Sequence, residues 1–180
     1  MPKLLILLLM LSLLFGCTTN EPAKPQSSAS PSKQKLSYYE NETVGYKLPY
    51  NKDWKTAPRS GNIDIMLVSK DGSFSPDPCV NITSVKTEQY DLWDKANQTK
   101  IRKEIDPKLK PAEEHNITLA GSPAYNLVYG LEKDGISVIF SQTYLFHNGY
   151  FIVITCSARE EEYNRFESVF EKLIKSIDFN

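Results

Sequence analysis

Three cysteines and two histidines are the scarce reactive side chains of this chain, and they stand far apart in it. Cys17 closes an apolar leader, Cys79 opens an alternating run and Cys156 ends another, while His115 and His147 fall in or beside polar turns. Two histidines so placed fall short of a zinc pattern and read as exposed loop residues. Asp71, Ser73, Ser75 and Asp77 offer oxygen at every second position, yet Pro76, Pro78 and the missing terminal glutamate spoil a calcium loop. Glu160-Glu161-Glu162 is explained by the first turn of a helix, where the dipole favours carboxylates. No Gly-x-Ser-x-Gly elbow, His-Glu-x-x-His helix or phosphate-cradling glycine loop is present. These residues define no catalytic set, no metal site and no cofactor site, and the expectation is a protein that is not an enzyme.

The first cysteine carries the most information. Lys3 precedes a run from Leu4 to Phe15 that only Ser12 interrupts, which is the pattern of an export signal. The run is shorter than the roughly 17–25 apolar residues that span a bilayer. Leu14-Phe15-Gly16-Cys17 resembles the bacterial lipobox, in which Leu and a small residue precede the cysteine that receives diacylglycerol; Phe15 is larger than that pattern prefers. The resemblance implies a signal peptide over residues 1–16 and a mature chain beginning at Cys17 with two or three acyl chains, palmitate among them. At about 0.8 kcal/mol per buried methylene, two chains anchor stably where one is marginal. The expected address is the extracytoplasmic face of a cell membrane.

Lys3 is the only charge in residues 1–16, so 21 basic and 22 acidic residues become 20 and 22, a balance of −2. Nucleic acid, which requires a basic face, is thereby an improbable partner. No polybasic segment assists membrane binding either, which leaves the lipid as the anchor.

Residues 17–36 are rich in Ser, Pro and Lys and nearly devoid of apolar side chains, the composition of a solvated tether that holds a folded part off the bilayer. From there to Asn180 a single domain of ordinary size is expected over residues 37–180. Short strands are predicted at Tyr38-Tyr39 and Gly45–Pro49, with Pro49 at an edge or strand end because it lacks an amide hydrogen. Period-two alternation predicts strands at Ile63–Leu67 and Cys79–Val85. Helical spacing of Leu92, Trp93, Ala96, Ile101 and Ile105 predicts a helix capped by Asp91 and ended by Pro107 and Pro111, followed by a strand at Ile117–Leu119. Asp134-Gly135 and Asn148-Gly149 then join three long alternating runs into a meander over residues 123–157. Ile139 and Leu145 add apolar weight to its second face, so both sides of the sheet should be covered at least in part. Ser157 with Glu160 predicts a capping box for a last helix whose stripe is Tyr163, Phe166, Phe170, Leu173, Ile174 and Ile177.

After lipidation takes Cys17, Cys79 and Cys156 remain as an even pair for an oxidising compartment. A disulfide closing the loop between them would contribute roughly 4.5 kcal/mol in the chain-entropy picture. Strand parity opposes it, since Cys79 alternates with Asn81 and Thr83 on the polar side and Cys156 with Ile152 and Ile154. Only geometry decides between these.

The order of elements resembles the PsbP-like family, named after an extrinsic subunit of photosystem II and found among bacterial lipoproteins. The residues that carry the resemblance are Gly45-Tyr46-Lys47-Leu48, Tyr50 and Trp54, Val80-Asn81-Ile82, Gly121 with Ala124 and Tyr129, Phe151–Thr155, and Ile174 with Ser176-Ile177. Asn51 stands where that pattern has proline after tyrosine. What the resemblance implies is an α/β (α+β) domain, an antiparallel sheet sandwiched between helices. It does not imply oxygen evolution, because one fold hosts many functions.

Two classes of function follow. The first is a membrane-anchored, non-catalytic module that binds a protein or envelope component through aromatic loops, with Tyr50, Trp54 and Phe74 as candidate contacts. The alternative is a small-ligand carrier or enzyme with a pocket between sheet and helix. A deep cavity lined by Tyr, His and carboxylate would favour the second; a filled core would retire it.

Overall fold

In the computed structural model the described residues are 35–59, 61–87 and 111–180. They form β1 (Ser37–Asn41), β2 (Tyr46–Tyr50), β3 (Trp54–Thr56), β4 (Ile63–Ser69), β5 (Cys79–Lys86), β6 (Pro111–Leu119), β7 (Ser122–Lys133), β8 (Ile136–His147), β9 (Tyr150–Arg159), α1 (Glu160–Lys175) and β10 (Asp178–Phe179). All pairings are antiparallel: a small sheet in the order β1-β2-β10 and a seven-stranded sheet in the order β3-β4-β5-β9-β8-β7-β6. The helix expected around Leu92–Ile105 lies outside the described residues. Of the expected sandwich, the described part is therefore antiparallel sheet with one helix packed on it.

The meander folds as its turn residues dictate. Asp134 and Gly135 have φ of 54° and 74°, and Asn148 and Gly149 have 48° and 77°, the left-handed pair that a tight hairpin needs and that Asn, Asp and Gly supply at least cost. Lys133 thus faces Ile136 and His147 faces Tyr150. A third such turn joins β6 to β7 at Ala120-Gly121, with Leu119 facing Ser122. Here Ala120 holds φ at 47°, a conformation that crowds its Cβ. Ala120→Asn should therefore raise stability by about 0.5–1 kcal/mol, read as a higher denaturation midpoint at unchanged slope.

Strand parity sorts the side chains. Val80 and Ile82 on β5, Ile152, Ile154, Cys156 and Ala158 on β9, and Leu145 on β8 share one face. Against that face pack Tyr163, Phe166, Phe170, Leu173 and Ile174 of α1, together with Val44, Tyr46 and Leu48 from the small sheet and its turn. Burial of each such side chain contributes roughly 1.5–3 kcal/mol, so this stripe fixes where the helix lies. Tyr46 also ties the sheets through its hydroxyl, which donates to Asp64 Oδ2 at 3.0 Å. The opposite face of the large sheet carries a second buried cluster, Tyr125, Leu127, Tyr129 and Tyr144.

Three local expectations need correction. Ser157 does not cap α1: β9 continues to Arg159, which sits at the N-cap without a side-chain cap bond, and three glutamates occupy the first turn instead. The strand expected at Ile117–Leu119 is the end of the longer β6, which begins at Pro111. His115 accordingly lies within a strand and not in a turn. Pro49 pairs with Tyr38 on β1 where β10 has already ended, the strand-end position its missing amide hydrogen requires.

Candidate functional site

On the helix-facing side of the large sheet, polar residues gather at one corner. Glu113, His115, Ile117 and Leu119 stand at every second position of β6, the edge strand, and point the same way. The Ala120-Gly121 turn sets His115 opposite Asn126 and Glu113 opposite Val128, and the Asp134-Gly135 turn sets Asn126 opposite Thr143 and Val128 opposite Ser141. Two hairpin registers thus gather five polar residues onto one face. Across from them α1 presents Tyr163, Glu167, Phe170, Glu171, Ile174 and Lys175, and between the two surfaces lies a cleft of about 320 Å³.

Its floor is a hydrogen-bonded set. The Asn126 amide donates to Ser141 Oγ at 3.0 Å, to Thr143 Oγ1 at 3.0 Å and to the Gln142 carbonyl at 3.3 Å. Tyr163 of α1 lines the same cleft. Burial, reinforced by the nearby Cys156, Glu167 and Glu113, pushes the Tyr163 phenol up to about 12. It stays protonated at neutral pH and is a permanent donor. Around the rim, His115 Nε2 lies 3.1 Å from Glu113 Oε2, and Lys175 pairs with Glu171 at 2.9 Å.

Among the described residues no group of three His, Cys, Asp or Glu side chains converges as a metal site would require. Among the described residues, the Ser141 and Thr143 hydroxyls are bonded by the Asn126 amide and not by an imidazole or an amine base that would activate them. What the corner can do is bind: it combines donors, acceptors and an apolar wall of Val128, Phe170 and Ile174.

The aromatic residues expected to meet a partner are placed differently. Trp54 is 5% exposed and packs on Phe170 with ring centres 6.3 Å apart. It is a core residue, because β3 turns its first side chain inward beneath the helix. Tyr50 is half-buried against the same core. Phe74 is 44% exposed, with the Arg159 guanidinium 5.2 Å from its ring centre. Its loop is fastened to the start of α1: Ser73 N–H donates to Glu162 Oε1 at 2.8 Å, and Arg165 and Arg159 donate to the carbonyls of Asp71 and Ser75.

Cys79 and Cys156 are both free. Cys156 faces Val80 across the β5–β9 ladder and Cys79 faces Ser157, so their side chains leave the sheet on opposite faces and cannot be bridged. Cys79 Sγ lies 3.1 Å from Ser157 Oγ, while burial pushes the Cys156 thiol far above its ordinary range. Alkylation of unreduced protein in denaturant should label both thiols; in the native state Cys156 should react far more slowly, since the thiolate is the nucleophile. A single labelled thiol, or none, in denaturant would contradict this geometry. Cys17 and the expected anchor lie outside the described residues, within which no helix is long and apolar enough to cross a membrane.

The corner went unread in the sequence because Tyr125, Leu127, Tyr129, Phe140 and Tyr144 draw attention to the other face. The signal was present. Once the two-residue turn fixes the register, Asn126, Ser141 and Thr143 are polar residues on what must be the helix-facing side.

The fold has solved counterparts. The solution structure of cyanobacterial PsbP (CyanoP) from Synechocystis sp. PCC 6803 superposes with a TM-score of 0.64 at 15% identity, covering 87% of this chain and 99% of that one. LpqN of Mycobacterium tuberculosis, involved in cell envelope biogenesis, superposes at 0.61 with 14% identity, covering 82% and 92%. At these identities the likeness is one of fold. No curated protein matches the chain in sequence. Residues 14–179, however, match the family described as PsbP-like protein, and with antiparallel sheets, a helix packed on them and that match, the chain belongs to the PsbP-like family.

Proposed function

We propose that this protein is a lipoprotein held by acyl chains on Cys17 to the extracytoplasmic face of a membrane, and that its domain is a non-catalytic module binding an envelope component. The observation that carries the binding role is the cleft between α1 and the β6–β8 corner. It is a formed concavity with convergent polar groups and an apolar wall, at the boundary between two elements where ligand sites are commonly found. A cleft lined by Tyr163, His115 and Glu113 is the feature expected of the small-ligand alternative, so the proposed site is at the sheet–helix boundary and not in the aromatic loops, and the component bound there is a small one. The anchor is supported by Leu14, Gly16 and Cys17 at the end of an apolar run and by the tether composition of residues 17–36. The fold likeness to LpqN, a protein involved in cell envelope biogenesis, agrees with an envelope role.

Photocrosslinking in intact cells tests both parts. A photoreactive residue at Thr118, exposed at the cleft, should capture an envelope component, and one at Phe74 should not. Capture from Phe74 alone would return the site to the loops. In the same cells Cys17→Ser should move the protein out of the membrane fraction; retention there would refute the lipid anchor.

A further inference from the structure

Charge around the cleft is not balanced. Among the described residues three carboxylates line it, Glu113, Glu167 and Glu171, against one lysine. That lysine, Lys175, is engaged with Glu171 at 2.9 Å. Glu113 has only His115, a partner that carries charge when protonated. Glu167 makes no ion pair among the described residues, and its charge is felt at the Tyr163 hydroxyl deeper in the cleft. Among the described residues the site is thus an apolar wall of Val128, Phe170 and Ile174 beside two carboxylates, Glu113 and Glu167, with no lysine or arginine partner.

An anionic head group would meet Glu113 and Glu167 directly, at a cost that a cleft with low-dielectric walls increases. A neutral ligand would leave those charges where they are and gain nothing from them. An ammonium group satisfies them, while an attached hydrocarbon body covers the wall. The Tyr163 hydroxyl is no obstacle, since its oxygen can accept from an ammonium hydrogen. We propose that the cleft receives a small organic cation, one or two ammonium groups on an apolar body, with Glu167 and Glu113 as its counter-charges. This rests on the cleft being the binding site, and its volume of about 320 Å³ suits a compact ligand.

Three probes of similar length, one cationic, one neutral and one anionic, decide the matter: hexamethylenediamine, hexanediol and adipate, titrated calorimetrically into the purified full chain. The diammonium should bind at least about tenfold more tightly than the diol, should weaken as salt is raised, and adipate should not compete. Glu167→Gln should bring diammonium affinity down to near that of the diol while leaving the thermal midpoint unchanged, because the side chain lines the cleft but is itself exposed to solvent. Equal binding of diol and diammonium, or an unaltered diammonium affinity in Glu167→Gln, would overturn the cation proposal and leave the cleft as the binding site. Absence of all binding, together with no crosslink from Thr118, would overturn both.

Discussion

Truncating Trp54 to alanine should cost about 3–5 kcal/mol of folding stability, the range for deleting a large buried aromatic. The indole is 5% exposed and stands against Phe170, which itself packs on Tyr163 and Phe166 with ring centres 6.2 and 5.9 Å away. Removing it opens a cavity beneath the middle of α1, and the helix cannot close over it without dragging the aromatic row that also walls the cleft. Phe74→Ala is the control: a half-exposed ring whose recorded partner is a guanidinium should cost under about 1 kcal/mol. Chemical denaturation of both variants checks the pair. A Trp54→Ala midpoint indistinguishable from wild type would mean that the indole is not core.

Replacing Glu162 by alanine should have the second-largest effect, about 1.5–3 kcal/mol, the range for losing a hydrogen bond to a charged group. This carboxylate is 4% exposed, and its Oε1 accepts the Ser73 amide hydrogen and pairs with Arg165 at 2.8 Å. Arg165 is itself half-exposed and screened by solvent, so the ion pair contributes the smaller share. The amide bond to this buried carboxylate is what matters. Glu162→Gln keeps an acceptor at the same place and should recover most of the loss. Hydrogen exchange at Ser73 gives the direct readout: fast in the alanine variant, slow in wild type and glutamine. Equal protection in all three would show that the loop is held by other groups.

How much of this was legible beforehand depends on which residues were asked. Asp134-Gly135 and Asn148-Gly149 announced their hairpins because left-handed φ restricts the residues that can sit there, and β7, β8 and β9 follow with their registers. The stripe from Tyr163 to Ile177 announced α1 in the same way, since only a helix brings those side chains to one side. The turn at Ala120-Gly121 was half hidden, because alanine carries no such preference. The helix start was misplaced by two residues for a comparable reason: Ser157 has the chemistry of a cap, but its side chain is used across the sheet at Cys79, and the dipole is met by Glu160, Glu161 and Glu162. Trp54 illustrates a deeper limit. Three residues of strand are too few to show a period, so nothing local says which way the indole points; the pairing of Trp54 with Ser69 on β4 decides it. The cleft was hidden for the opposite reason. Its residues are plainly polar, but they acquire a common side only when two hairpin registers are combined.

The short strand β10 carries a consequence for how the chain acquires its structure. Phe179 pairs with Tyr46 and Asp178 with Lys47, and the Asn180 N–H donates to the Gly45 carbonyl at 3.0 Å. These partners are more than a hundred positions apart along the backbone, whereas β6 through β9 are joined by two-residue turns. Contacts of such long range form late, because the entropy of closing the loop precedes the reward. The meander is expected to assemble first and the small sheet last, with Tyr46 reaching full burial only when the final residues arrive. Until then the β2 edge stays open, so the interval before β10 docks is when a growing or threading chain is most exposed to pairing with a neighbour.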